Sequence, residues 1–305
     1  MTKFEVTFLG TTAMIPTPKR NHPGIYIRYL SSNEKCFLFD CGGATQRQII
    51  SMNLNFMRIN RIFITHWHAD HFAGLIGLIS SMTTENRKIP LYIYAPEAEK
   101  FVPQLLSIGY ASKGFEVIPV NVPYEGKEKK VIMEDEDIKV ESIPVKHGIP
   151  AVAYAVIEKD RIKIDKEKAK KFGLPSKSPL FKKIKKLGEV THNGIKIKLD
   201  DISYIEHGKK ISYSGDTMPC ENMVKLAKDS DLLIHESTYF EKFKRYHTSF
   251  EQALKIAERA NVKKLVLTHI SRRYQNEKEL NKIISSHKMN FDVILAYDGL
   301  RITIE

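Results

Sequence analysis

Between Phe63 and Gly74 the chain reads FITHWHADHFAG, where His66, His68, Asp70 and His71 form H-x-H-x-D-H, the densest group of candidate metal ligands among its 305 residues. Imidazole and carboxylate together suit Zn²⁺ or a similar borderline divalent ion. The apolar run Ile62 to Ile64 has strand character and FAGLIGLIS after His71 has helical periodicity, so the ligands fall on the loop between the two elements. His66 and His68 alternate along an extended backbone and point the same way, which lets them share one metal. Asp70 and His71 diverge at the turn and can begin a second site. A polar loop whose histidines merely cap the helix is the plainer alternative. Four ligand-type residues within six positions, directly after a strand, weigh against it.

The elements that would hold such a site recur along the chain. FEVTFLG, GIYIRYL, KCFLFD, RIFIT, LYIYA, FEVIPVNV, KKVIMED and IKVESIPV read as strands, with helices expected at Ala44 to Met52 and Ala73 to Ser81. In the second half IKIKL, ISYSGDT, DLLIHEST, KKLVLTH and FDVILAYDG read as strands. Helices are expected near Glu221 to Lys228, from Phe250 to Ala260 and near Glu277 to Ser286. Two such halves predict an α/β fold of two sheets packed face to face with helices outside. Because motif elements run from the first strand to the last, a single domain over residues 1–305 is expected.

Composition narrows the setting. MTKFEVTFLG lacks the pattern of a secretory leader, and no run of 18 apolar residues occurs, so a soluble, cytoplasmic protein without a membrane partner is expected. Cys36, Cys41 and Cys220 are an odd count without C-x-x-C spacing, which fits a reducing compartment, with Cys41 read as a packing residue. The formal net charge of +12 favours a polyanion as partner. A generally lysine-rich proteome would give a similar total, but here the charge is concentrated. Lys159 to Lys186 holds twelve Lys and Arg against three Asp and Glu. About residues 158–193, interrupted by Gly173, Pro175 and Pro179, therefore read as a charged insertion that projects as an arm.

The order FLFDCGGATQRQ (Phe37 to Gln48), the H-x-H-x-D-H loop, VKHGIPAVAY (Val145 to Tyr154), YSGDT (Tyr213 to Thr217), HEST (His235 to Thr238), HTS (His247 to Ser249) and LTHIS (Leu267 to Ser271) resembles the ribonuclease Z family of the metallo-β-lactamase superfamily. The resemblance runs from about Phe8 to Gly299. It implies the four-layer αβ/βα sandwich of that superfamily, with metals at one edge between the sheets. It also supplies the distant ligands: His66, His68 and His147 with a bridging Asp216 at one site, and Asp70, His71 and His269 with the same Asp216 at the other. Two Zn²⁺ ions, with Mn²⁺ a possible substitute, would activate a water and clamp the phosphate and its departing oxygen. Asp70 would orient that water or take its proton. His247 matches the family's catalytic histidine and would protonate the departing ribose oxygen, and Glu236 would orient His247.

The family further implies cleavage of the 3′ trailer from precursor tRNA just after the discriminator nucleotide, leaving a tRNA 3′-hydroxyl and a 5′-phosphorylated trailer. It implies a homodimer and an arm that grips the tRNA body. Lys182, Lys183, Lys185 and Lys186 on the arm are the expected phosphate contacts. Lys19 and Arg20 of TPKRN are candidates for the acceptor stem, with a solvated loop the equal alternative. Three departures from the family pattern stand out: Gly43 and Ala44 where a glutamate and a glycine are common, and Ser178 before Pro179 at the arm tip. His22, His192, His207 and His287 match no motif. A superfamily phosphodiesterase acting on small cyclic nucleotides or other phosphoesters would use the same seven ligands, but would not need so basic an arm. A degenerate RNA-binding scaffold would lack at least one ligand, and none is missing.

Overall fold

The computed structural model describes residues 2–108, 114–241 and 246–305. Two seven-stranded sheets build the main unit, which comprises residues 1–134, 139–156 and 210–305. The first sheet runs, in spatial order, Arg301–Ile304, Lys3–Gly10, Gly24–Leu30, Lys35–Phe39, Ile59–Phe63, Leu91–Ala95 and Val117–Asn121. The second runs Asp292–Leu295, Lys264–Thr268, Leu232–Glu236, Lys210–Tyr213, Val152–Glu158, Ile138–Pro144 and Lys130–Glu134.

Strand alternation sorts the core into layers. Phe39 and Phe63 turn one way and meet Tyr154 of the second sheet, with ring centroids 5.9 and 5.5 Å away, while Phe39 also meets Tyr213 at 6.4 Å. Leu38, Ile62 and Ile93 turn the other way and join one buried cluster with Leu75, Leu78, Ile79 and Met82 of helix Leu75–Thr84 and Val102 and Leu105 of helix Ala98–Leu106. Helices Glu221–Ala227 and Phe250–Arg259 lie against strands of the second sheet. The αβ/βα layering is therefore that of the metallo-β-lactamase fold. Among the described residues no helix is long and apolar enough to cross a membrane.

Topology brings the chemistry to one edge. Lys35–Phe39 and Ile59–Phe63 are parallel, as are Lys210–Tyr213, Leu232–Glu236 and Lys264–Thr268. The carboxyl ends of these strands deliver Asp40, His66, Asp216, Glu236 and His269, the end at which open α/β sheets place their sites.

The second unit comprises residues 135–138 and 157–209. It holds the ribbon Arg161–Ile164 with Ser203–Glu206, the hairpin Glu189–His192 with Ile195–Lys198, and helices Lys166–Lys171 and Leu180–Leu187. The sequence boundary at 193 falls inside it, and IKIKL belongs to its hairpin rather than to either large sheet. Its charge does not stop it from building a small apolar cluster of Ala169, Leu174, Ile184, Val190, Ile197 and Ile202. One apolar residue per turn or per hairpin strand is enough to point inward while the lysines stay in water. At the tip Pro179, φ −58°, opens helix Leu180–Leu187, and the Ser178 hydroxyl accepts from the Leu180 amide.

Candidate metal centre

The backbone places the H-x-H-x-D-H loop by way of its neighbours. Asp40, at φ 56°, follows the strand Lys35–Phe39 and takes four donors: the Thr65 amide at 2.8 Å, the Thr65 hydroxyl at 3.0 Å, the Tyr213 hydroxyl at 2.7 Å and His71 Nδ1 at 2.7 Å. A carboxylate only accepts, so His71 carries a proton on Nδ1 and turns Nε2 toward the cluster. That atom is buried and unpartnered. Gly215, at φ 55°, turns the chain into Asp216, and a Cβ there would stand 2.7 Å from Thr65 Cβ, so glycine is required on both counts.

All seven expected ligands come together in the main unit. His66 Nε2 and His147 Nε2 stand 3.0 and 3.1 Å from His68 Nδ1. Asp216 spans both halves: Oδ2 lies 3.7 Å from His66 Nε2, while Oδ1 lies 3.4 Å from His71 Nε2 and 3.3 Å from His269 Nε2. Asp70 Oδ2 reaches to 3.6 Å from His71 Nε2 and 3.5 Å from His269 Nε2. Second partners hold the rings: Thr65 Oγ1 lies 3.0 Å from His66 Nδ1, the Tyr246 carbonyl accepts from His147 Nδ1 at 2.9 Å, and Thr238 Oγ1 lies 2.9 Å from His269 Nδ1.

Whether these groups suit metal ions can be judged from what they lack. Asp70 Oδ1, His71 Nε2, Asp216 Oδ1 and His269 Nε2 are buried polar atoms with no hydrogen-bond partner. One such atom costs about 1–3 kcal/mol, and a cation held by His71 Nε2, Asp216 Oδ1 and His269 Nε2, with 3.3–3.4 Å between Asp216 Oδ1 and each ring nitrogen, would offset that cost. Charge agrees. Burial holds His66, His68 and His147 below the ordinary imidazole range, so they are neutral donors. Burial alone would raise Asp216 and Asp70, but the neighbouring imidazoles of His269 and His71 outweigh it and keep both carboxylates ionised. His71 goes the other way. Burial lowers it, yet the carboxylates of Asp216 and Asp40 on its two ring nitrogens raise it well above its ordinary value, and a cation at Nε2 would take that proton's place. The donor set fits metal binding.

Beside the cluster, Glu236 Oε1 accepts from His247 Nδ1 at 3.0 Å and from the Thr217 amide at 2.7 Å, and Oε2 accepts from Thr238 Oγ1 at 2.6 Å. Burial pulls His247 down, but the charge and hydrogen bond of Glu236, with Asp216 behind, raise it to about 9. An apolar cavity of about 600 Å³, walled by Trp67, Phe72, Phe101, Leu105, Ile149 and Pro150, opens next to His68.

One expected contact is corrected. Arg20 is buried, and its guanidinium donates to Thr11 Oγ1 at 2.8 Å, to the Ala296 carbonyl at 2.6 Å and to Glu277 at 3.1 Å. It braces the loop and is only 5% exposed, whereas Lys19 beside it is exposed. The sequence reading also passed over Asp40, Tyr213, Thr65 and Thr238, which aim the ligands. An aspartate just past a strand end, one residue before two glycines, was the one available signal.

A family model described as "Anti-Pycsar protein Apyc1" matches residues 4–169, and one described as "Beta-lactamase superfamily domain" matches residues 197–270. End-to-end similarity decides between wider and narrower groupings. The ribonuclease Z of Thermococcus gammatolerans is 39% identical over 97% of this chain and 94% of its own, and that of Bacillus licheniformis is 37% identical over 96% and 97%. The chain belongs to the ribonuclease Z family. Among solved structures the short form of human tRNase Z covers 98% of each chain with a TM-score of 0.68 and 25% identity. As a ribonuclease Z family member the chain is a metal-dependent phosphodiester hydrolase.

Proposed function

We propose that the chain is a zinc-dependent endoribonuclease that removes the 3′ trailer of precursor tRNA just after the discriminator nucleotide, leaving a tRNA 3′-hydroxyl and a 5′-phosphorylated trailer. The observation that carries this reading is the seven-ligand cluster, with His71 Nε2, Asp216 Oδ1 and His269 Nε2 buried and unpartnered, beside the His247–Glu236 pair. His66, His68, His147 and Asp216 would hold one Zn²⁺, and Asp70, His71, His269 and Asp216 the other. Bound there, the ions would supply an activated water and neutralise charge on the phosphate.

The chain's own groups would do the rest. Asp70 would orient the water and accept its proton. His247, kept protonated by Glu236, would donate to the departing ribose oxygen. The aromatic cavity beside His68 gives room for a nucleoside flanking the cut. The second unit would grip the tRNA body through Lys182, Lys183, Lys185 and Lys186, all exposed on helix Leu180–Leu187 while Ile184 faces inward. Exposed Lys19 would add a phosphate contact. A cytoplasmic homodimer in which one chain's arm serves the other's site completes the reading. A small cyclic phosphodiester would use the same ligands and leave the basic helix without a task.

Alanine at Lys182, Lys183, Lys185 and Lys186 together is expected to weaken binding of a 3′-extended precursor tRNA. It should also flatten the log–log salt dependence of affinity by roughly 0.7–0.9 per lost phosphate contact, with kcat at saturating tRNA little changed. A titration across salt concentrations checks this. An unaltered slope would make the helix a solvated surface.

A further inference from the structure

We propose that His22 is a positioning residue for Asp70, acting through the backbone of Met14 in space that Gly43 leaves open. The Met14 amide donates to Asp70 Oδ2 at 3.0 Å. It is the hydrogen bond that fixes this oxygen of the carboxylate while Oδ1 stays without a partner. Met14 itself is poorly secured. Its φ is 39°, which a side chain adopts reluctantly, and its own side chain is 55% exposed, so packing does not hold the peptide. The side-chain contact to the Met14 carbonyl comes from the ring of His22, whose Nε2 donates to it at 2.9 Å, alongside the backbone bond from the Ile15 amide to the Ala13 carbonyl. A carbonyl only accepts, so the ring is fixed as the tautomer with its proton on Nε2.

The rest of the loop is anchored independently. The Thr12 amide donates to the Asn21 carbonyl, the Ala13 amide to Ile270 and the Thr17 amide to Arg20. Loss of His22 would therefore release the Met14 carbonyl without unfolding the loop. The ring can stand there because residue 43 is glycine. A Cβ at that position would lie 2.8 Å from His22 Nδ1 and 3.4 Å from Cε1. Gly43 is not among the positive-φ glycines, so space rather than backbone conformation is what it provides. Two features that matched no family motif, His22 and Gly43, thus explain each other: the ring fills the volume that a side chain at 43 would occupy, and its far nitrogen reaches the carbonyl of Met14, the residue whose amide aims Asp70.

The inference rests on Asp70 acting as proposed above, and the test separates the two. The full chain, loaded with saturating Zn²⁺, is assayed on bis(p-nitrophenyl) phosphate and on a 3′-extended precursor tRNA as wild type, His22→Ala, His22→Gln, Gly43→Ala, the His22→Ala/Gly43→Ala double variant and Asp70→Ala. His22→Ala and Gly43→Ala are each expected to lower kcat about tenfold on both substrates with KM nearly unchanged, as a small misplacement of a catalytic group does. The double variant should be no slower than either single one, since both break the same contact. His22→Gln, which keeps a donor, should recover most of the loss. Hydrogen exchange of the Met14 amide should quicken in His22→Ala and Gly43→Ala but not in His22→Gln. Wild-type kcat in His22→Ala beside an inactive Asp70→Ala overturns the inference alone, as do losses that multiply in the double variant. Wild-type turnover in Asp70→Ala overturns the reading of Asp70 and the inference with it.

Discussion

Asp70→Ala is expected to abolish cleavage, lowering kcat by about 10²–10⁴-fold, while precursor tRNA still binds with near wild-type affinity. The side chain joins two tasks in one carboxylate. Oδ2 is aimed by the Met14 amide and stands 3.5–3.6 Å from His269 and His71, while Oδ1 is buried with nothing to bond. Alanine removes both the second-site donor and the group placed to receive a proton, but touches no residue of the basic helix. Kinetics at saturating Zn²⁺, with metal content measured on the same preparation, checks this. Unchanged turnover at full metal occupancy would remove Asp70 from the mechanism.

His247→Ala should cost a comparable factor, about 10²–10⁴ in kcat, because it removes the proton donor to the leaving oxygen. Its pH behaviour gives the sharper test. Glu236 raises His247 to about 9 against the opposing effect of burial, so the acid is present at neutral pH and is lost as pH rises through that value. kcat should therefore fall on the alkaline side. Glu236→Gln keeps an acceptor near Nδ1 but deletes the charge that favours imidazolium, so the alkaline limb should move toward lower pH. A pH–rate profile of both proteins decides the matter. An alkaline limb that stays in place after Glu236→Gln would assign the limb to another group.

How much of this was legible in the sequence divides along physical lines. The H-x-H-x-D-H cluster, the strands that carry it and the helices Phe250–Arg259 and Glu277–Ser286 all announce themselves by local pattern, since each depends on residues close together in the chain. Strand Val152–Glu158 was passed over as an element because AVAYAVIE is buried on both faces and shows no alternation. Helix Ala98–Leu106 was missed for another reason: Pro103 lies inside it and argues against helix locally, while its apolar face is satisfied only by the sheet beneath. His147, Asp216 and His269 needed the family resemblance, because nothing in spacing tells which distant residues a fold brings together. Asp40 and Arg20 show the same limit in opposite directions. A carboxylate four donors deep looks unremarkable in a string of letters, and a buried guanidinium looks like any other cation on a Pro-containing loop. The charge of the second unit was plain, yet its six-residue apolar cluster was hidden among lysines.

The measurement that bears most directly on the central claim is cleavage of an end-labelled precursor tRNA carrying a 3′ trailer, with and without chelator, with the new end mapped at single-nucleotide resolution. Cleavage just after the discriminator nucleotide, giving a 3′-hydroxyl, abolished by chelator and restored by Zn²⁺, is the predicted result. An intact precursor after incubation with protein shown to carry two metal ions per chain would contradict it.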